Sequence, residues 1–302
     1  MNVDSLKMFC LVVDVGSISK AARLSFVSQP AVTRQIRQLE ELYKAPLFER
    51  TAGKLTLSDA GEILYPYAKE IVEYSKRSFE AIQEIMIGKQ AVLNVGASLT
   101  IGEYLLPDLL GTFSKNYPEL KFNLSIGNTP NILTKLENND IDIAFVEGAV
   151  ENNEFIIEKF ADDELILVTS TNHRWKDKHQ IQIHELPEEK MIWRESDSGT
   201  RQIVENLLYE YGVLDKIKSA MELGSYQSIK SAVEADLGVS ILPKIAVARE
   251  LNFGILQEIK VSNLNISRDL WMVQKNHRFK KTSLRYFIDF IRSNYQKEHA
   301  EK

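Results

Sequence analysis

Apolar positions near the start of the chain recur at helical spacing. Leu6, Phe9, Cys10 and Val13 follow an i, i+3, i+4, i+7 pattern that predicts an amphipathic helix stopped by Gly16. Ser17 is placed to cap a second helix, over about 18–25, that buries Ala21, Ala22 and Leu24. The turn Phe26-Val27-Ser28 leads into a third helix reaching about residue 42. There Ser28 is a suitable N-cap, and Pro30 falls in the first turn, where its missing N–H costs nothing. Val32, Ile36 and Leu39 share one face of that helix, while Gln29, Thr33, Arg34, Arg37 and Gln38 occupy another. Residues 50–57 alternate around Gly53 and predict a small hairpin, or wing.

Residues 58–88 contain one proline, Pro66, and repeat apolar side chains three or four apart: Leu64, Tyr67, Ile71, Tyr74, then Ile82, Ile85 and Met86. A helix this long on a small domain cannot bury such a stripe within that domain, so it calls for a partner helix, most simply from a second chain. From residue 91 the pattern changes to short apolar runs alternating with helical periodicity. Strands are expected near 92–96, 120–126, 141–146 and 164–169, with a loop at 98–102 and helices to about 117 and over 130–138. A second round places strands near 190–194, 220–223, 239–242, 256–261 and 270–274, and helices near 200–211, 226–235 and 282–295. Repeated β–loop–α units predict open α/β sheets, and two rounds predict two lobes. The expected division is 1–57, 58–88 and 91–302, the last split into a first lobe of about 91–163 plus 267–302 and a second of about 164–266.

Composition narrows the class. The 302 residues are 44% apolar and 26% charged, which excludes wholesale disorder. A single cysteine excludes a disulfide framework and any multi-cysteine metal site, and fits a reducing cytoplasm. The opening MNVDSLKMFC lacks the apolar run of a signal peptide, and no stretch of about 18 apolar residues occurs, so the expectation is a cytoplasmic protein with no membrane partner. Charge is uneven. Residues 1–90 hold 12 basic against 11 acidic side chains, and the remainder holds 25 against 31. Within 17–54, Lys20, Arg23, Arg34, Arg37, Lys44, Arg50 and Lys54 face only three acidic residues, which suggests a small polyanion-binding surface.

Two helices joined by a tight turn, the second opening on small and amide side chains, form a helix-turn-helix. Ala21 and Ala22 are small enough for the first helix to lie close across the second. Gln29, Thr33 and Arg34 have the length and the donors to reach base edges in a major groove. Ser28 and the helix N-terminus suit a phosphate, and Arg50 and Lys54 on the wing could reach flanking backbone or the minor groove. A bundle used only for packing would leave this exposed polar row without a purpose.

The run Ala21-Ala22-Arg23-Leu24, then Ser28-Gln29-Pro30-Ala31-Val32-Thr33-Arg34-Gln35-Ile36, then Leu39-Glu40 and Leu47-Phe48-Glu49-Arg50, resembles the N-terminal signature of LysR-type transcriptional regulators. The resemblance covers the whole chain. It implies an α+β multi-domain protein with an N-terminal winged helix-turn-helix, a long linker helix, and a C-terminal two-lobed α/β effector-binding domain resembling type 2 periplasmic binding proteins. It also implies dimers paired through linker helices, tetramers that bend promoter DNA, RNA polymerase as a further partner, and no cofactor. The DNA-binding set it marks is Ser28, Gln29, Pro30, Thr33, Arg34, Arg37, Arg50 and Lys54. Two positions depart from the usual pattern. Thr33 stands where serine is commoner, and Lys44 stands where glycine usually ends the helix, so a non-glycine residue is expected in a left-handed conformation.

In open α/β sheets a ligand lies beyond the carboxyl ends of strands, against helix N-termini. That rule singles out Ser98, Thr100, Asn128, Thr129 and Glu147 in the first lobe, and Ser198, Gly199, Thr200, Arg201, Ser225 and Tyr226 in the second. Hydroxyls at helix starts favour a small anion, with Arg201 as a source of charge, although any one of them can equally be a simple cap. Residues 96–102 with 197–201 resemble a LysR-type subgroup that includes regulators of sulfur assimilation and carbon fixation. That likeness implies an inorganic oxyanion or small acidic metabolite, with sulfite, sulfate or an acylated serine as first candidates. An enzyme would need a nucleophile–base or metal constellation, and these hydroxyls have no histidine partner, so no catalysis is expected. A transport-type binding protein would have no use for a helix-turn-helix. His173, His179 and His184 share no helix face and point, with Trp175 and Lys176, to a surface loop rather than a metal site. Cys10 reads as a small core side chain.

Overall fold

The computed structural model describes residues 2–51, 54–87, 92–148, 150, 152–262, 264–276 and 281–300, and the chain forms two compact units, Met1–Lys89 and Gln90–Lys302.

The first unit opens with helices α1 (Val3–Val15), α2 (Ile18–Leu24) and α3 (Gln29–Tyr43), followed by the antiparallel hairpin β1 (Phe48–Thr51) and β2 (Lys54–Leu57) and the long helix α4 (Asp59–Ile87). Ser17 caps α2 through the Lys20 N–H, and Gly16 ends α1 at φ 65. Lys44 ends α3 at φ 53, ψ 32, the left-handed conformation expected there without a glycine. The turn between α2 and α3 places Phe26 at φ 55. Leu6, Phe9, Val12, Ala21, Ala22, Val32, Ile36, Leu39 and Leu47 form the core. Leu24 departs from expectation and is 55% exposed. The inward stripe of α2 runs Ile18, Ala21, Ala22, Ser25, and Leu24 falls off that stripe.

The apolar residues of α4 divide between two faces. Leu64 and Ala68 are buried in the core beside α1, with Ile71 packed at its edge. Tyr67, Tyr74 and Ile82, joined by Ile63 and Phe79, are exposed. The side chains of Ile85 and Met86, the last of the expected stripe, lie outside the described residues.

The second unit begins with β3 (Val92–Ser98), α5 (Leu99–Tyr104), α6 (Leu106–Asn116), β4 (Lys121–Gly127), α7 (Thr129–Glu137) and β5 (Ile143–Glu147). It continues with β6 (Phe155–Ser170), β7 (Gln180–Ile181), β8 (Lys190–Arg194), α8 (Gly199–Glu210), β9 (Lys218–Leu223) and α9 (Tyr226–Glu234). It ends with β10 (Ser240–Pro243), α10 (Lys244–Asn252), β11 (Leu256–Val261), β12 (Ile266–Lys275) and α11 (Thr282–Ala300). The sheets are less separate than two open parallel sheets. An 8-stranded sheet runs β4-β3-β5-β12-β6-β11-β7, with β10 also on β6, while β8 and β9 pair in parallel beside it. The parallel strands β4, β3 and β5 continue into the antiparallel pair β12 and β6. Beyond that pairing β6 goes on to β10 and β11. The expected lobe boundaries fall inside β6 and at the start of β12.

Three local expectations are corrected. The strand expected near 164–169 begins at Phe155, because cross-strand pairing with β12 extends it through a stretch whose apolar residues are interrupted by Glu158, Lys159, Asp162 and Asp163. Residues 99–102, expected as loop, already belong to α5. His173 and Trp175 are buried rather than on a surface loop, because the indole completes the core around Leu165, Leu186 and Trp193.

Candidate functional site

The first candidate surface is the outer face of α3. Val32, Ile36 and Leu39 turn inward, which leaves Ser28, Gln29, Pro30, Arg34 and Arg37 exposed and Thr33 half-buried. Ser28 occupies the N-cap position with extended backbone, yet its hydroxyl makes no capping bond. The Ser19 hydroxyl donates to the Gln29 side-chain oxygen at 3.1 Å, tying α2 to the start of α3, and the Thr33 hydroxyl donates to the Gln29 carbonyl at 3.1 Å. The Glu40 carboxylate accepts the Leu47 N–H at 2.9 Å and so fixes the chain where it turns toward the hairpin. The backbones of Arg50 and Lys54 lie in β1 and β2, while their side chains fall outside the described residues.

The second lies between the lobes, where strand ends and helix starts converge on Arg268. This residue projects from β12 opposite Asp163 of β6. Its Nε–H and Nη2–H both reach Asp163 Oδ2, at 2.8 and 2.6 Å. Nη1 donates to the Thr200 hydroxyl at 2.9 Å, and Nη2 donates to the Thr100 hydroxyl at 3.2 Å. The Tyr226 hydroxyl lies 2.8 Å from each of those threonine oxygens. Thr100 belongs to the first lobe, Thr200 and Tyr226 to the second, so one guanidinium and one phenol join both. Ser98, at the end of β3, donates its hydroxyl to the Glu147 carboxylate at the end of β5. The Arg194 guanidinium stacks 4.4 Å from the Tyr226 ring centroid and bonds Glu195 through two nitrogens, at 2.7 and 2.5 Å.

Burial sets the electrostatics of this cluster. It pushes the Asp163 carboxyl above the ordinary carboxylate value, more than the Arg268 charge draws it down. Burial also raises the Tyr226 phenol. Burial opposes charge on Arg268, but Glu147 and Asp163 outweigh it and hold the guanidinium protonated. Asp163 Oδ1 is buried with no hydrogen-bond partner.

Of the sequence-derived ligand residues, Ser98, Thr100, Glu147, Ser198, Gly199 and Thr200 gather here. A side chain at Gly199 would meet Glu147 Cγ at 3.7 Å, which puts the start of α8 against the end of β5. The Thr129 hydroxyl donates to the Glu147 carbonyl at 3.1 Å. Asn128, Ser198 and Ser225 cap α7, α8 and α9, accepting from the N–H groups of Asn131, Arg201 and Ser228. Arg201, expected to supply the cleft charge, is instead engaged by Glu205 at 2.7 Å, Glu222 at 2.6 Å and the Arg194 carbonyl at 2.8 Å. The cation at the centre is Arg268, which the sequence reading did not select, nor did it select Asp163 or Arg194. A signal was present: Ile266, Arg268, Leu270 and Met272 alternate on the buried face of β12, an arginine in an otherwise apolar series.

Comparison with known proteins matches both parts of the chain to known domains. Residues 3–62 match the bacterial regulatory helix-turn-helix protein, lysR family, and residues 88–296 match the LysR substrate binding domain. The chain belongs to the LysR family of transcriptional regulators. It is 32% identical to a probable RuBisCO transcriptional regulator of Cyanidioschyzon merolae over 283 residues, covering 92% of this chain and 93% of that one. It is also 32% identical to the HTH-type transcriptional regulator CysL of Bacillus subtilis over 301 residues, 99% of each chain. A full-length OxyR variant from Pseudomonas aeruginosa shares the fold with a TM-score of 0.69 at 21% identity, over 97% of this chain and 95% of that one. The regulatory domain of Synechocystis PCC6803 CcmR in complex with 2-PG matches with a TM-score of 0.63 at 27% identity, covering 68% of this chain and 98% of that chain. As a LysR-type regulator, the protein binds DNA through its helix-turn-helix and responds to a small-molecule effector held by its substrate-binding domain. None of the described helices is long and apolar enough to cross a membrane.

Proposed function

We propose that this LysR-type regulator senses a small acid in the cleft around Arg268 and reports it as a change in operator affinity. DNA binding is assigned to residues 1–57, dimerisation to 58–88 and sensing to 91–302. Ser28, Gln29, Pro30, Thr33, Arg34 and Arg37 on α3 meet the major groove, and Arg50 and Lys54 reach the flanking backbone. The exposed Ile63, Tyr67, Tyr74, Phe79 and Ile82 of α4 pack on the same helix of a second chain. The matched family models and the relatives named as transcriptional regulators support reading the chain as a regulator rather than an enzyme.

The observation that carries the sensing role is the meeting of Thr100, Thr200 and Tyr226 on one guanidinium, since any molecule that takes over those hydrogen bonds alters the contact between the lobes. An effector acts only through its different affinity for two lobe arrangements, and the linked DNA-binding units then shift on DNA. Likeness to CysL supports a sulfur-related signal, with sulfite, sulfate or an acylated serine first. Likeness to CcmR in complex with 2-PG supports a second reading, a carbon-fixation signal.

Fluorescence anisotropy on the upstream intergenic DNA, across a salt series, tests the reading. Tight binding that weakens steeply with salt and shifts with sulfite, sulfate, O-acetylserine, N-acetylserine or 2-PG supports it and selects the signal. Absent or salt-insensitive binding contradicts it.

A further inference from the structure

We propose that Glu40, Leu47 and Gly61 form a strut that sets the angle between α3 and α4, and that this angle fixes the half-site spacing a paired molecule accepts on DNA. The inference rests on the pairing of α4 with its copy proposed above, and it makes Glu40 and Gly61 positioning residues for DNA recognition.

Pro46 and Leu47 carry the chain from the end of α3 to the hairpin, and both helices hold them. From α3, the Glu40 carboxylate accepts the Leu47 N–H at 2.9 Å, while the Glu40 carbonyl accepts the Ala45 N–H at 3.2 Å. From the start of α4, the Ser58 hydroxyl donates to the Pro46 carbonyl at 2.5 Å, and the Ser58 N–H donates to the Leu47 carbonyl at 3.1 Å. The same hydroxyl accepts the Gly61 N–H at 3.1 Å, so one serine caps α4 and ties it to the crossing chain. Leu47 is therefore bonded through its N–H to α3 and through its carbonyl to the start of α4, with its side chain buried in the core.

Gly61 makes the seat close. A Cβ at this position would overlap the Leu47 carbonyl oxygen and stand 2.8 Å from Leu57 Cδ2. The first obstacle is backbone, which cannot swing aside as a side-chain tip can, so a larger residue must lift the first turn of α4 off Leu47. Leu64 and Ala68 hold the next turns in the core, so α4 answers such a lift by tilting.

A tilt grows along the helix. Tyr74, in the middle of the exposed stripe, lies about 20 Å from Gly61 at about 1.5 Å per residue. A tilt of about 10° moves it by about 3.5 Å, which is one base-pair step. Two recognition helices entering successive major grooves must stand about 34 Å apart, so a displacement of this size changes the spacing they fit.

The test uses the stretch of upstream intergenic DNA that the full chain protects from DNase I, with derivatives that gain or lose base pairs at its centre. Fluorescence anisotropy on each duplex gives a spacing profile, and thermal melting reports folding separately. Wild type is expected to lose at least about tenfold in affinity when the spacing changes by about two base pairs. Glu40→Ala, which leaves the Leu47 N–H without its acceptor, is expected to flatten that loss to less than about threefold, and Glu40→Gln, which keeps an acceptor oxygen, to restore it. Gly61→Ala is expected to move the optimum by about one base pair. A purely structural role would lower affinity for every duplex by the same factor. Folded variants that keep the wild-type optimum and steepness overturn the proposal, and the Glu40 variants decide it should Gly61→Ala fail to fold. A sharp wild-type profile that Glu40→Ala leaves unchanged removes the proposal alone. Wild-type binding that ignores spacing also removes it, and a protein that sediments on DNA as a monomer removes the α4 pairing as well.

Discussion

Arg268 and Asp163 stand opposite each other on β12 and β6, and two guanidinium N–H groups close on a single carboxylate oxygen, at 2.8 and 2.6 Å. Both residues are buried, and the same arginine holds threonines from both lobes. Pairing and positioning therefore reside in one side chain. Removing one partner of a buried ion pair leaves an uncompensated charge and costs about 3–5 kcal/mol, whereas replacing both with apolar groups costs far less. Arg268→Ala is expected to lower stability by about that amount, and Arg268→Met combined with Asp163→Leu to recover most of it. Trp175, Trp193 and Trp271 all lie in the second unit, so tryptophan fluorescence during urea unfolding reads this unit directly. Equal losses in the single and double variants would contradict the pairing.

The Asp163 carboxyl gives a pH dependence with a definite sign. Burial raises its folded value above that of the unfolded chain, against the pull of Arg268. The native state then keeps a proton that the unfolded chain has released. The resulting stability is complete below the unfolded value and disappears as pH rises through the folded one. Between roughly pH 4 and 7, melting temperatures of wild type and Asp163→Asn should move in the variant's favour as pH rises. A constant difference across that range would show that Asp163 titrates normally.

On α3, Arg34 is exposed on the face opposite Val32, Ile36 and Leu39. Arg34→Ala is expected to weaken specific DNA binding by about 1–3 kcal/mol and to relax preference at one base position. Anisotropy against the operator and a scrambled duplex would measure both, and unchanged affinity with unchanged preference would remove Arg34 from the interface.

Cys10 lies in the core of the first unit, where burial, with the Asp14 charge adding to it, pushes its thiol up to about 11. Because the thiolate is the reactive form, native protein should alkylate slowly with iodoacetamide at pH near 8 and rapidly in denaturant. Equal rates would mean that the thiol is accessible and ordinary.

What could be read from the sequence follows from the range of the interactions. The helices of the first unit are set by local spacing, caps and small residues, all visible in residues 2–43. Thr100 and Thr200 were legible because each follows a strand end at a helix start. Arg268 was not, because its meaning depends on Asp163, 105 residues away, across a strand pair whose early half is disguised by charge. Arg201 misled for the complementary reason: Glu205 and Glu222, brought beside it by the fold, engage its guanidinium.

In the proposed mechanism the Arg268 cleft and the α3 surface are coupled through one shift between lobe arrangements. Linkage requires the coupling to be reciprocal: if effector changes operator affinity by some factor, operator must change effector affinity by the same factor. Calorimetric titration of effector into the full chain, with and without saturating operator duplex, measures that factor beside the anisotropy value. Equal, roughly 5–150-fold changes are expected from the two directions. Effector binding that is identical with and without DNA would contradict that mechanism.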